Sequence, residues 1–152
     1  MRTVQNILDS KAKPFNQVSP QTLVYDALNQ LNTLNLSYLI VMEGDEYKGI
    51  FSERDYSRKV ILKGRHSNTT TVEEVMSTDV PVVGLEDTVE RCMYLMEQSK
   101  SRYLLAFDTS KRLIGVVTIH DILRLVIKEK AEVFDRDLAQ RLVDEDELGQ
   151  VY

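Results

Sequence analysis

One pattern is written twice in this chain. "GIFSERDYSRKVI" begins at Gly49 and "GVVTIHDILRLVI" at Gly115, 66 residues later. Each copy runs glycine, two apolar residues, a hydroxyl, two variable residues, an aspartate and then an apolar-rich stretch. The hydroxyl and acid are Ser52 and Asp55 in the first copy, Thr118 and Asp121 in the second. The spacing is long enough to enclose a small supersecondary unit, so the fold is expected to be one unit built twice.

The duplication extends backwards from the motif. Apolar strand candidates precede both copies: "SYLIVM" from Ser37 and "RYLLAF" from Arg102. Between strand and motif lie "EGDEYK" and "DTSKR", turn-rich segments suited to a hairpin. Ahead of each strand the spacing predicts an amphipathic helix. Val24, Ala27, Leu28 and Leu31 share one face of the first, and Val89, Met93 and Met96 one face of the second. Earlier still come the short extended pieces "FNQVSPQT" and "VPVVGLEDT", each preceded by a short helical segment, "VQNIL" and "VEEVM". Each half therefore reads as a short helix, a short strand, a helix, a two-stranded hairpin and a closing helix. The polar linker "KGRHSNTTT", Lys63 to Thr71, is expected on the surface. The division along the sequence is residues 1–65, residues 66–130 and a helical, acidic tail over 131–152.

Composition narrows the function. With 43% hydrophobic and 28% charged residues among 152, the chain has the balance of a soluble globular protein. No apolar run approaches the roughly 20 residues a membrane span needs. The opening "MRTVQNILDSKAKPF" lacks the apolar core of a signal peptide. Cys92 is the only cysteine, which rules out an intrachain disulfide and a thiolate metal cluster. A cytoplasmic location is the expectation. The net charge of −5 argues against a broad nucleic-acid surface.

The repeated hydroxyl has two physical readings. Ser52 and Thr118 stand where a strand pattern hands over to a helix, the N-cap position. A hydroxyl there accepts a hydrogen bond from a backbone N–H, and an acid three residues on completes a version of the capping box. On this reading the motif is structural. The other reading uses the same geometry: free N–H groups at a helix start favour a phosphate. Both readings stay open on the sequence. Aspartate is a second-choice capping partner, so loss of Asp55 is expected to leave the ligand-free protein's melting nearly unchanged.

The residues that carry the repeat resemble a known family. "GIFSERD" and "GVVTIHD" match the Gly–apolar–apolar–Ser/Thr–x–x–Asp signature of CBS (cystathionine-β-synthase) domains, and "VEEVMSTDVPVVGLEDTVERCMYLM" is similar to the family's run into a second domain. The chain resembles a tandem CBS pair, or Bateman module, over roughly residues 1–130. Its wording is nearest to small stand-alone bacterial members. One departure is "SRYLLAF", where Tyr103 and Leu105 replace a common His and Pro. The resemblance implies an α+β fold: two pseudo-symmetric βαββα units packed as one module, here with a C-terminal helical extension.

It also implies a function. CBS pairs hold adenine nucleotides such as AMP, ADP, ATP or NAD, and AMP or NAD is the expected ligand here, with no catalytic cofactor and no metal. The family's roles put the hydroxyls Ser52 and Thr118 toward phosphate or ribose, and Asp55 and Asp121 on the ribose diol. In such pairs each cleft draws on both halves. The resemblance walls the first cleft with Val80, Pro81, Arg102 and Tyr103, and the second with Phe15, Asn16, Tyr38 and Leu39. Arg54 and Arg58 flank Asp55, and Arg102 faces phosphate in the family. Arginine suits phosphate because its fork donates two hydrogen bonds at once. His120 and Arg124 hold the corresponding places in the second motif. The first cleft is therefore expected to bind more tightly.

The catalytic inventory is thin. His66 lies in the linker and His120 in the motif, with no nucleophile in a recognisable arrangement. No Gly-rich phosphate loop, HExxH or metal-ligand spacing is present in the sequence. Cys92 on "TVERCMYLM" reads as a small buried hydrophobe. The expectation is a non-enzymatic, nucleotide-binding regulatory module that forms a homodimer through its CBS pair and acts on a protein effector, with neither nucleic acid nor membrane as partner. The alternative is a structural dimerisation module with no bound nucleotide. In the tail, Val126, Lys130, Val133, Phe134, Leu138 and Leu142 form a partial helical stripe, and the acidic cluster Asp144 to Glu147 is expected to be solvated.

Overall fold

The computed structural model describes residues 2–12, 15–129 and 136–146. The elements follow in order: α1 (Val4–Asp9), β1 (Gln17–Val18), α2 (Val24–Leu34), β2 (Tyr38–Glu43), β3 (Glu46–Ser52), α3 (Glu53–Lys59), α4 (Val72–Val75), β4 (Val82–Val83), α5 (Val89–Ser99), β5 (Tyr103–Phe107), β6 (Leu113–Thr118), α6 (Ile119–Glu129) and α7 (Arg136–Asp146). The strands form two three-stranded sheets, ordered β1-β2-β3 and β4-β5-β6. In each, the short first strand runs parallel to the second, and the second and third form an antiparallel hairpin. The registers correspond: Tyr38 faces Ser52 in one sheet, and Tyr103 faces Thr118 in the other. The fold is α+β with the expected duplication.

Local chemistry sets the boundaries. The helices α2 and α5 both stop at a left-handed residue, Asn35 (φ 52) and Lys100 (φ 53), whose N–H groups close the last turn. On α2 the predicted face is buried at Val24, Ala27 and Leu31, with Leu28 at its edge. On α5 the buried face is Val89, Cys92 and Met96, and Met93 is exposed. The sequence reading turned that helix by one position. Cys92 takes the inward place because Val89, Cys92 and Met96 follow the i, i+3, i+7 spacing that one stripe of a helix covers.

Two compact units result, one of residues 15–80 and the other of residues 1–14 with 81–152. They do not follow the 65/66 division of the repeat. Each short lead-in helix packs with the sheet of the other repeat. In the first unit α4 joins the β3 sheet: Val72 N–H donates to Thr22 O (2.8 Å), Glu73 N–H to Pro20 O (3.0 Å), and Ile50 and Ser77 exchange backbone hydrogen bonds at 2.8 and 2.9 Å. In the second unit α1 does the same: Val4 N–H donates to Asp87 O (2.9 Å) and Gln5 N–H to Leu85 O (3.0 Å). Val4 and Ile7 then enter a core with Val89, Cys92, Leu104, Val117 and Ile122.

The motif glycines explain this packing. A Cβ on Gly49 would lie 2.8 Å from both Met76 Sδ and Ser77 O, and a Cβ on Gly115 would lie 2.6 Å from Leu8 Cδ2. The bare strand position lets the end of the short helix lie directly against the sheet. The linker is less superficial than expected, because Thr70 is buried and its carbonyl accepts from Val24 N–H at 2.8 Å. Among the described residues no helix is long and apolar enough to cross a membrane. Of the tail stripe, Lys130, Val133 and Phe134 lie outside the described residues, as do Glu147 and the side chains of Asp144 to Asp146; Val143 of α7 is buried.

Candidate functional site

In the first unit the motif lies at the strand–helix handover, with Ser52 as N-cap of α3. Asp55 N–H donates to Ser52 Oγ (3.3 Å), and Ser52 N–H and Oγ donate to Asp55 Oδ2 (2.9 and 3.2 Å). This is the reciprocal capping box of the structural reading. The other oxygen, Oδ1, accepts from Ser77 Oγ (2.8 Å) and pairs with Lys59 Nζ (2.9 Å). Asp55 is 5% exposed, so its charge needs these partners.

The second unit repeats the arrangement with a different cation. Thr118 N–H donates to Asp121 Oδ2 (2.8 Å), and Asp121 N–H to Thr118 Oγ1 (3.2 Å). Lys11, just beyond α1, reaches the same Oδ2 at 2.9 Å and also donates to Val116 O at 2.7 Å. Its side chain is 2% exposed. Arg124 Nη1 stands 3.7 Å from Asp121 Oδ1. Asp121 also borders a cavity of about 310 Å³ that Arg2, Ser10, Arg124 and Lys128 help to line.

The remaining residues picked out from the sequence sort by unit. Tyr38 and Leu39 are buried in β2. Asn16 accepts from Ile40 N–H (2.9 Å) at the start of β1, and Phe15 precedes it, half-buried. Arg54 and Arg58 are exposed on α3, and Val80 is half-buried at the end of this unit. In the other unit, Pro81 accepts from Leu105 N–H (3.0 Å) and Arg102 from Ile119 N–H (3.0 Å), both through their carbonyls. Arg102 is exposed, while Tyr103 and His120 are half-buried.

Two features depart from the phosphate-at-helix-start expectation. The helix α3 has only seven residues, and two of its first-turn donors are engaged: Glu53 N–H with Ser37 O (3.4 Å) and Asp55 N–H with Ser52 Oγ. At α6, Ile119 N–H and Asp121 N–H are likewise taken. The backbone N–H groups at these two helix starts are thus largely committed to the fold. Sequence reading also missed Lys11, Lys59 and Ser77. Lys59 was within reach, since it sits four residues after Asp55 on one helix face. Lys11 and Ser77 had no signal, because only packing brings them to the motif.

Two duplicated α+β units, each closing its hairpin with a hydroxyl–x–x–Asp turn, define a tandem-repeat module. The chain belongs to the CBS domain family, whose signature matches residues 9–61 and 72–128. It is 32% identical over 143 residues, 88% of this chain, to the mitochondrial CBS domain-containing protein CBSX3 of Arabidopsis thaliana. It spans 69% of that relative's length, and 55% and 21% of two further curated relatives. Among solved structures, a protein with CBS domains from Burkholderia ambifaria is 37% identical, with a TM-score of 0.78 over 84% of this chain and 96% of that one. CBSX2, solved in complex with AMP, is 25% identical, with a TM-score of 0.69 over 86% of this chain and 99% of that one.

Proposed function

We propose that this chain is a regulatory module that binds an adenine nucleotide, AMP before NAD, and has no catalytic chemistry of its own. The observation that carries this reading is the intact Ser52–Asp55 pair beside exposed Arg54 and Arg58, in a family whose member CBSX2 is solved with AMP. Asp55 would take the ribose hydroxyls through Oδ1, the oxygen that the cap leaves to Ser77 and Lys59. The arginines, already exposed, would meet phosphate without leaving a buried partner. Each unit carries exposed apolar side chains: Tyr25, Ile61 and Leu62 in one, Met93, Tyr94 and Leu123 in the other. Such surface supports a homodimer of closed symmetry, acting on a protein effector. Sedimentation as a monomer at micromolar concentration would contradict the dimer.

A second reading has its own observation. Both aspartates are already satisfied by a cap and a lysine, which suits a purely structural dimerisation module. A thermal-shift panel with AMP, ATP and NAD separates the two, because a ligand that binds the folded state raises its melting temperature. The nucleotide reading expects a shift with AMP that Asp55→Asn removes. Equal shifts in both proteins, or none in either, would leave the motif as a helix cap alone.

A further inference from the structure

The two motif aspartates are paired with lysines of opposite character. Lys59 sits on the same helix as Asp55, and its Nζ also donates to Val75 O and Ser77 Oγ, both at 3.1 Å. Its side chain is 41% exposed, so water can replace these contacts when it leaves the carboxylate. Lys11 comes from a segment 110 residues away, is 2% exposed, and is held between Asp121 Oδ2 and the Val116 carbonyl. Removing one partner of a buried pair strands the other charge without water, whereas separating an exposed pair costs little. A ribose diol arriving at Asp55 therefore competes with a cation that has somewhere to go. One arriving at Asp121 competes with a cation that does not.

We propose that Lys11 is the residue that decides how many nucleotides this module takes: it closes the Asp121 motif to ribose, so that each chain binds one nucleotide, at the Asp55 motif. This rests on the nucleotide reading above for the Asp55 half. The Asp121 half stands on the ion pair alone. In this arrangement the second copy of the motif is a staple. Through Lys11 it ties the end of α1 to β6 and α6, and its acid is occupied as a structural anion. The neutral Lys11→Met variant keeps the length of the side chain, removes the cation held on Asp121 Oδ2 and leaves the Thr118 cap in place, with Arg124 still 3.7 Å from Oδ1.

The test is titration calorimetry with AMP on the full chain, read as stoichiometry, on wild type, Asp55→Ala, Asp121→Ala, Lys11→Met and Lys11→Met/Asp121→Ala. The expected result is one AMP per wild-type chain, lost in Asp55→Ala, and two per Lys11→Met chain, with the second lost in Lys11→Met/Asp121→Ala. Two AMP per wild-type chain, or one that Asp121→Ala removes while Asp55→Ala keeps it, overturns the role of Lys11 but leaves nucleotide binding standing. No binding to wild type with one Asp121-dependent site in Lys11→Met sinks the Asp55 reading and supports the closure. No binding to any variant overturns both. If Lys11→Met fails to fold by circular dichroism, the wild-type stoichiometry and the Asp55→Ala and Asp121→Ala titrations still decide between one site and two.

Discussion

Lys11 Nζ lies 2.9 Å from Asp121 Oδ2, with 110 residues between them in the chain and both side chains nearly sealed from water. This pair fixes α1 to the sheet of the second repeat and makes the two copies of one motif physically unequal. Lys11→Met and Asp121→Asn should each lower stability by about 3–5 kcal/mol, the range for removing one partner of a buried pair. Lys11→Met should fall at the low end, because Arg124 stays 3.7 Å from Asp121 Oδ1. The double variant should lose clearly less than the sum of the two. Urea unfolding of the three variants checks this, and additive losses would show that the pair is not coupled.

Asp55 is more than a second-choice cap. Its carboxylate accepts from Ser52 N–H, Ser52 Oγ and Ser77 Oγ and pairs with Lys59 while 5% exposed. The expectation that its loss would leave the ligand-free protein unchanged is corrected by these contacts. Asp55→Asn should cost about 2 kcal/mol, since hydrogen bonds to a charged group contribute about 1.5–3 kcal/mol. Ser77→Ala should cost less, because it removes one of those donors and leaves the charge paired. An unaltered melting temperature for ligand-free Asp55→Asn would count against the network.

The two motif glycines should not be equally tolerant. An added methyl at Gly49 meets the fixed Ser77 carbonyl and Met76 Sδ at 2.8 Å, whereas at Gly115 it meets the end of the flexible Leu8 side chain. Gly49→Ala should therefore lose about 1–3 kcal/mol, the range for overpacking a tight contact, and Gly115→Ala less. Leu8→Ala in the Gly115→Ala background should relieve the overlap. Denaturant midpoints rank the variants, and a Gly115→Ala loss equal to that of Gly49→Ala would contradict the geometry.

Cys92 should behave as core. Burial, with the Asp87 carboxylate adding to it, pushes the thiol from 9.0 up to about 11. In the unfolded chain the thiol ionises near its ordinary value. The folded state thus holds its proton more tightly, and stability is lost as pH rises between about 9 and 11. Alkylation by iodoacetamide at pH 8 should be slow in the native protein and fast in urea. Rapid native labelling would place the thiol at the surface.

The duplication, the order of elements in each half, the hairpins and the capped Ser52–Asp55 and Thr118–Asp121 turns were all legible in the sequence. Each depends on residues close along the chain: periodic apolar positions, turn chemistry, and a hydroxyl three residues before an acid. Local pattern specifies what each repeat builds. Tertiary structure decided where the pieces went. Helix α1 opens the first repeat yet packs with the sheet of the second, and α4 opens the second yet packs with the sheet of the first. Local pattern cannot announce such an exchange, because a short apolar helix fits any sheet that offers a bare glycine. Packing alone also brought Lys11 to Asp121 and Ser77 to Asp55. A buried carboxylate takes whichever cation or hydroxyl the fold carries to it, and that partner's place in the sequence plays no part in the energy.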